Sequence, residues 1–258
     1  METPILHSKI IGSGAQHLVV LHGLFGQLDN WNTHGRQFGE FYTTHLIDLR
    51  NHGRSFHAND ASIEAMVEDV VNYMNFHQIT KIHLLGHSLG GRIAINFAMK
   101  HADLLDHLIV ADMAPKAYQP HHNAIIKALT SVDFSQVTSR KEVEDTLGLY
   151  IQEAGVRQFL LKNVYPTENG KYAFRFNLSA LREQYEDLVG HDLSDGIFNG
   201  PTLFLKGENS DYVLPEDEFI IKKRFPQAEI KSIANAGHWL HAENPKDFIE
   251  AVLTFLKA

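Results

Sequence analysis

Short apolar runs recur along the chain, separated by stretches in which apolar residues fall three and four apart. The runs cover residues 5–10, 17–21, 42–48, 81–85, 107–112, 201–206 and 228–233. They have the length and makeup of strands. The stretches between them, 29–38, 62–77, 90–100, 215–224 and 245–256, have the one-sided apolar spacing of amphipathic helices, and Pro245 suits the first turn of the last. Strands alternating with helices predict an α/β fold, with a mostly parallel central sheet and helices on both faces.

The rhythm changes between Pro115 and Gly200. Helical spacing dominates at 123–129, 141–153, 156–165 and 179–189, and Phe159, Tyr165, Tyr172, Phe174, Phe176 and Tyr185 supply large apolar surface. An inserted helical cap is the expectation, which divides the chain into a discontinuous core of residues 1–114 and 199–258 and a cap of residues 115–198. No internal repeat or low-complexity tract interrupts this plan.

Composition narrows the chemistry. The 258 residues suffice for one domain with a sizeable core. With 23 Lys and Arg against 31 Asp and Glu, the formal charge is -8 and no basic cluster relieves it, so nucleic acid is not an expected partner. There is no cysteine, which removes disulfides, thiolate metal sites and thiol catalysis. No apolar run approaches the length of a membrane span, and the N-terminal residues have no signal-peptide pattern, so a cytoplasmic protein without a membrane partner is expected. The 17 histidines are scattered; His121-His122 and the pair His238 and His241 are the tight groupings, and neither has the spacing of a zinc motif. No metal or cofactor is expected.

The informative motif is Gly86-His87-Ser88-Leu89-Gly90, a G-x-S-x-G sequence placed between a strand and a helix. There the glycines let the backbone turn sharply, lifting the Ser88 hydroxyl off the sheet edge as a nucleophile. A serine hydroxyl needs a general base. His238, in Ala236-Gly237-His238-Trp239, follows the last strand and lies at the same sheet edge, with His241 as its rival. His87 and His22 are nearby in sequence; packing is the expected role of the first and bracing of its loop that of the second. The loop His22-Gly23-Leu24-Phe25-Gly26 is placed to hold an oxyanion, with the backbone amides of Leu24 and Leu89 as donors. The acid that orients His238 has two candidates. Asp211 lies in Gly207-Glu208-Asn209-Ser210-Asp211, although the usual offset puts Ser210 at the acid position; Asp112 ends the strand beside that of Ser88.

Taken together, residues 22–30, Asp48-Leu49-Arg50-Asn51-His52-Gly53-Arg54-Ser55, the serine motif, Asp112-Met113-Ala114-Pro115 and Gly237-His238-Trp239 resemble α/β-hydrolases of the YbfF-type bacterial esterases. Arg-Asn-His-Gly is the most specific part, since many α/β-hydrolases have Pro-Gly-His-Gly there. The resemblance implies a serine esterase or acyl thioesterase with Ser88, His238 and Asp112 as its triad, and a cap of modest length crowded with large aromatics suits small to medium acyl groups. Related sequences tend to have a non-acidic residue at the position of Asp211, which leaves this side chain a competitor. Phe25, Trp239 and Tyr212 are the expected pocket residues. Carbon–carbon bond hydrolases and menaquinone-pathway lyases share the fold and are the alternative enzymes; a non-catalytic ligand sensor is the alternative outside catalysis. Dehalogenases and the related epoxide hydrolases need Asp at the position of Ser88.

Overall fold

The computed structural model describes residues 4–190 and 195–257. Seven strands, β1 (Ser8–Ile11), β2 (His17–Leu21), β3 (Thr43–Ile47), β4 (Ile82–His87), β5 (Leu105–Ala111), β8 (Thr202–Gly207) and β9 (Ala228–Ile233), form one sheet in the order β1-β3-β2-β4-β5-β8-β9. β1 pairs antiparallel with β3, and every other pairing is parallel. The seven expected strands are all present. The first is shifted toward its C-terminus.

Alternate strand residues point to opposite faces, and each face has its own core. Val19, Leu21, Ile47, Leu84 and Val110 pack with α2 (Ile63–Phe76) and α3 (Leu89–Lys100), while Leu18, Val20, Leu46, Leu85 and Ile109 pack with α1 (Asn32–Phe38) and α11 (Pro245–Leu256). α2 shows how the sequence specifies such a layer. Ile63, Met66, Val67, Val70, Tyr73 and Met74 form its buried stripe, and the Ser62 side chain caps its start by accepting from the Ala65 amide. α11 starts in the same way, with Asn244 accepting from the Asp247 amide and Pro245 in the first turn. The remaining core helices are α9 (Asp217–Arg224) and α10 (Leu240–Glu243).

Between β5 and β8 the chain forms α4 (Asn123–Thr130), α5 (Arg140–Gly148), α6 (Ala154–Leu161), a hairpin of β6 (Val164–Pro166) and β7 (Tyr172–Phe174), then α7 (Leu178–Glu183) and α8 (Tyr185–Gly190). Three of the expected helices there differ, the first of them, expected over 141–153, ending at Gly148. The helix expected over 156–165 stops at Leu161, because the buried Asn163 leaves the helical ladder: its Nδ2 donates to the Phe25 carbonyl at 2.7 Å and its own carbonyl accepts from the Arg175 amide. The helix expected over 179–189 divides at Gln184, whose side chain bonds Asn59 and Ala61 of the core. Residues 1–3 and 191–194, which the expected core and cap include, and residue 258 lie outside the described residues. No described helix is long and apolar enough to cross a membrane.

Candidate active site

The ends of five parallel strands carry the site. β4 ends at His87 and leads through Ser88 into α3, and the register sets His87 opposite Ala111 of β5, with Ala111 opposite Leu205 of β8. The Ser88 amide donates to the Ala111 carbonyl at 3.1 Å and the Asp112 amide to the Leu205 carbonyl at 2.7 Å, so the two turns leave the sheet side by side. Ser88 has a φ of 54° and Asp112 of 51°, a left-handed conformation that costs a non-glycine residue about 1–3 kcal/mol and survives only where the surroundings enforce it. The glycines around Ser88 make the turn possible. A Cβ on Gly86 would lie 2.0 Å from the Gly90 carbonyl oxygen, and one on Gly90 would lie 2.4 Å from that of Leu21.

The structure brings Ser88, His238 and Asp112 together. Nε2 of His238 is 3.0 Å from Ser88 Oγ, and His238 Nδ1 is 2.7 Å from Asp112 Oδ2. A carboxylate only accepts, so Nδ1 carries the ring hydrogen and Nε2 presents its lone pair to the serine hydroxyl. Asp112 is fully buried and also accepts from the Gly207 amide at 3.0 Å and from the Ser210 hydroxyl. Asp211 is exposed on the loop beyond. Burial pushes the Asp112 carboxyl up, against the opposing pull of the Ser210 and Gly207 bonds. Burial likewise pushes the His238 imidazolium down, and a charge on His121 acts in the same sense.

The rival base is occupied elsewhere. His241 is buried and stacked on Trp31, ring centroids 4.3 Å apart and planes within 10°. His87 is buried against the rings of His238 and His241, and its Nε2 lies 2.8 Å from the His238 carbonyl oxygen. Tyr212 stacks on His238 with centroids 3.6 Å apart, while its hydroxyl donates to His121 Nε2. His122 holds Tyr185 instead. Among the described residues no cluster of three or more His, Asp or Glu is arranged to hold a metal ion.

The loop after β2 is braced from two sides. His22 Nδ1–H donates to the Gly23 carbonyl at 2.8 Å, and its Nε2 accepts from the Leu49 amide at 3.1 Å. His52 donates through Nδ1 to the Arg50 carbonyl and accepts the Phe25 amide at Nε2, 3.2 Å away. The Arg-Asn-His-Gly run thus works on a loop 27 residues upstream, a role that spacing alone could not disclose. Gly53 (φ 56°) lets the turn close over Asp48, whose carboxylate accepts the Leu28 and Arg54 amides; a Cβ on Gly53 would fall 2.1 Å from the carboxylate carbon. With the amides of Phe25 and Gly90 committed to His52 and to the His22 carbonyl, those of Leu24 and Leu89 have no acceptor among the described residues. Both flank Ser88 in the cavity walls.

Two cavities meet at Ser88. The larger encloses about 540 Å³ of space including its mouth and is lined by Leu24, Phe25, Ile125, Phe159, His238 and Trp239 among others. The smaller, about 340 Å³, is walled by Leu89, Met113, Tyr118, Leu188, Val189 and Tyr212. Phe25 and Trp239 therefore border the first and Tyr212 the second.

The family profile of the alpha/beta hydrolase fold matches residues 16–245. The chain belongs to the α/β-hydrolase family. This α/β-hydrolase is 38% identical over 250 residues to a Danio rerio protein named sn-1-specific diacylglycerol lipase ABHD11, covering 93% of this chain and 78% of that protein. It is 34% identical over 240 residues to esterase YbfF of Escherichia coli, covering 93% of this chain and 92% of that one. A solved structure described as a marine microorganism esterase superimposes with a TM-score of 0.95 at 39% identity, covering 98% of this hydrolase and 100% of its counterpart.

Proposed function

We propose that this α/β-hydrolase cleaves small to medium acyl esters or thioesters through an acyl-enzyme, with Ser88 as nucleophile, His238 as base and Asp112 as its orienting acid. The class of carboxylic ester hydrolase rests on esterase and lipase relatives that extend over most of the chain. The observation that carries the residue assignment is the unbroken hydrogen-bonded line from Ser88 Oγ through His238 to Asp112, opening on two cavities. His238 takes the serine proton as Oγ attacks the acyl carbon, and Asp112 stabilises the imidazolium. The amides of Leu24 and Leu89 receive the oxyanion. His238 then gives its proton to the leaving group and activates water against the acyl-enzyme. Residues 115–198 act as a cap over the core: Ile125, Val156 and Phe159 reach the larger cavity from that side, and Phe25, Trp239 and Tyr212 complete the pocket walls.

Ser88→Ala tests the reading. Turnover of a p-nitrophenyl ester should fall by about 10^4- to 10^6-fold with an unchanged melting temperature. A fluorophosphonate should label the native protein at Ser88. Near-normal turnover by the variant would remove Ser88 from the chemistry.

A further inference from the structure

Two adjacent residues of the turn after β4 take hold of one residue of the loop after β9. Ser88 meets the His238 side chain at Nε2, 3.0 Å away, and His87 meets its main chain, Nε2 to carbonyl oxygen, at 2.8 Å. We propose that His87 is a positioning residue for the reaction: by tying the His238 carbonyl to the turn that carries the nucleophile, it sets where the imidazole meets Ser88 Oγ. This rests on the assignment of Ser88 and His238 as nucleophile and base.

A carbonyl oxygen can only accept, so His87 carries its hydrogen on Nε2, leaving Nδ1 as a bare lone pair. The donor is secure in this form. Burial holds His87 far below the ordinary imidazole value, at about 3, so the ring stays neutral when His238, 4.9 Å away between ring centroids, becomes an imidazolium. A charged His87 would repel that intermediate.

The two ends of the bond differ in rigidity, and that difference gives it a purpose. His87 ends a central strand, is 3% exposed, and is wedged against His241 and under Gly23, where a Cβ would lie 3.1 Å from His87 Nδ1. His238 sits between β9 and α10 on a loop. Ala236 and Gly237 of that loop are tied to Asn209 and Glu243. At His238 itself, Asp112 holds the ring and His87 holds the carbonyl, which fixes the imidazole at both ends relative to Ser88. A base displaced by 1 Å can cost about 100-fold in rate. If His87 served packing alone, shape would be its only contribution and any ring of similar volume would replace it.

Three substitutions separate these roles. His87→Phe keeps the ring and removes the donor; His87→Gln restores an N–H donor on a flexible chain; His87→Met restores bulk alone. With a p-nitrophenyl ester, His87→Phe and His87→Met should lose about 10- to 100-fold in kcat with KM within about threefold, and fluorophosphonate labelling of Ser88 should slow by the same factor. His87→Gln should recover most of the loss, at a melting temperature no higher than that of the other two. Normal kcat in His87→Phe, equal losses in Gln and Met, or a loss confined to KM would each overturn the proposal. If His87→Phe does not fold, the comparison of Gln with Met decides alone. Inactive Ser88→Ala and His238→Ala beside normal His87 variants would defeat the positioning role and leave the proposed function standing, whereas active Ser88→Ala and His238→Ala would defeat the function.

Discussion

The hydroxyl of Ser210 donates to the carboxylate oxygen of Asp112 that also accepts the Nδ1–H of His238. Ser210 stands where the loop after β8 would ordinarily present the acid, and it buttresses Asp112, the acid we propose, which directly follows β5. Asp112→Asn should therefore cost about 10^4-fold in kcat, since the amide keeps the shape and loses the charge that fixes the tautomer and stabilises the imidazolium. Asp211→Asn, on an exposed side chain, should change kcat less than about threefold. Steady-state kinetics of the two variants check this, and the reverse order would transfer the acid to Asp211.

The pH dependence follows from the same pair. In the proposed mechanism the working form has His238 neutral and Asp112 ionised, and both conditions are lost on acidification. Burial lowers the His238 value, which extends the neutral ring toward acid, while the raised Asp112 value brings its protonation nearer to neutrality. The acid limb of kcat/KM should thus belong to the pair and lie below the ordinary imidazole value of about 6.5. Initial rates after a jump from neutral pH measure it. A midpoint above 7, or a rate flat down to pH 4, would contradict the assignment.

Stability has its own acid limit. His22, His52 and His87 are buried, with values lowered to about 4, 3 and 3, chiefly by burial. Their values in the unfolded chain lie near 6.5, so the unfolded state binds more protons through the interval between. The sign follows: stability is complete above about pH 6.5 and falls with pH toward the folded values. At pH 5.5 each costs about 1.4 kcal/mol, together about 4, against a usual total of about 5–15. Melting temperature should decline from pH 6.5 downward; a constant value to pH 4.5 would show that these rings are not held neutral.

A limit on acyl chain length is a further expectation from the cavities. Together with its mouth the larger has about 540 Å³ of space, and Phe159 and Trp239 close part of it with rings 5.8 Å apart. Hydrolysis of p-nitrophenyl esters should be fastest for short to medium chains and drop by more than about tenfold at palmitate, which outgrows an enclosed site. Efficient cleavage of emulsified long-chain triglycerides would refute enclosure.

Much of this architecture is legible in the sequence. The sheet could be read from strand-length apolar runs, and Ser88 and His238 from where they fall at strand ends. The hairpin of β6 and β7 was not, because its strands have three residues each and the departure from helix depends on a bond from Asn163 to Phe25, far away in sequence. Gly170, at φ 72°, was the local sign of a turn. The bracing role of His52 has no signal in the sequence for a similar reason: its partner is the Phe25 amide, and no periodicity links the two. The division at Gln184 depends likewise on core contacts at Asn59 and Ala61.

The bond from Asn163 to Phe25 has a consequence for traffic through the site. Asn163 belongs to the segment above the site, and the carbonyl it grips is one residue beyond the Leu24 amide, in the same loop. Gln27 makes a second such link, from its Nε2 to the Lys162 carbonyl. A door bolted to the hearth cannot swing wide without stirring the fire: lifting this corner would strip partners from the very loop that the proposed mechanism needs still during turnover. Lifting that segment and keeping the loop still are therefore opposed, because the same two bonds join them.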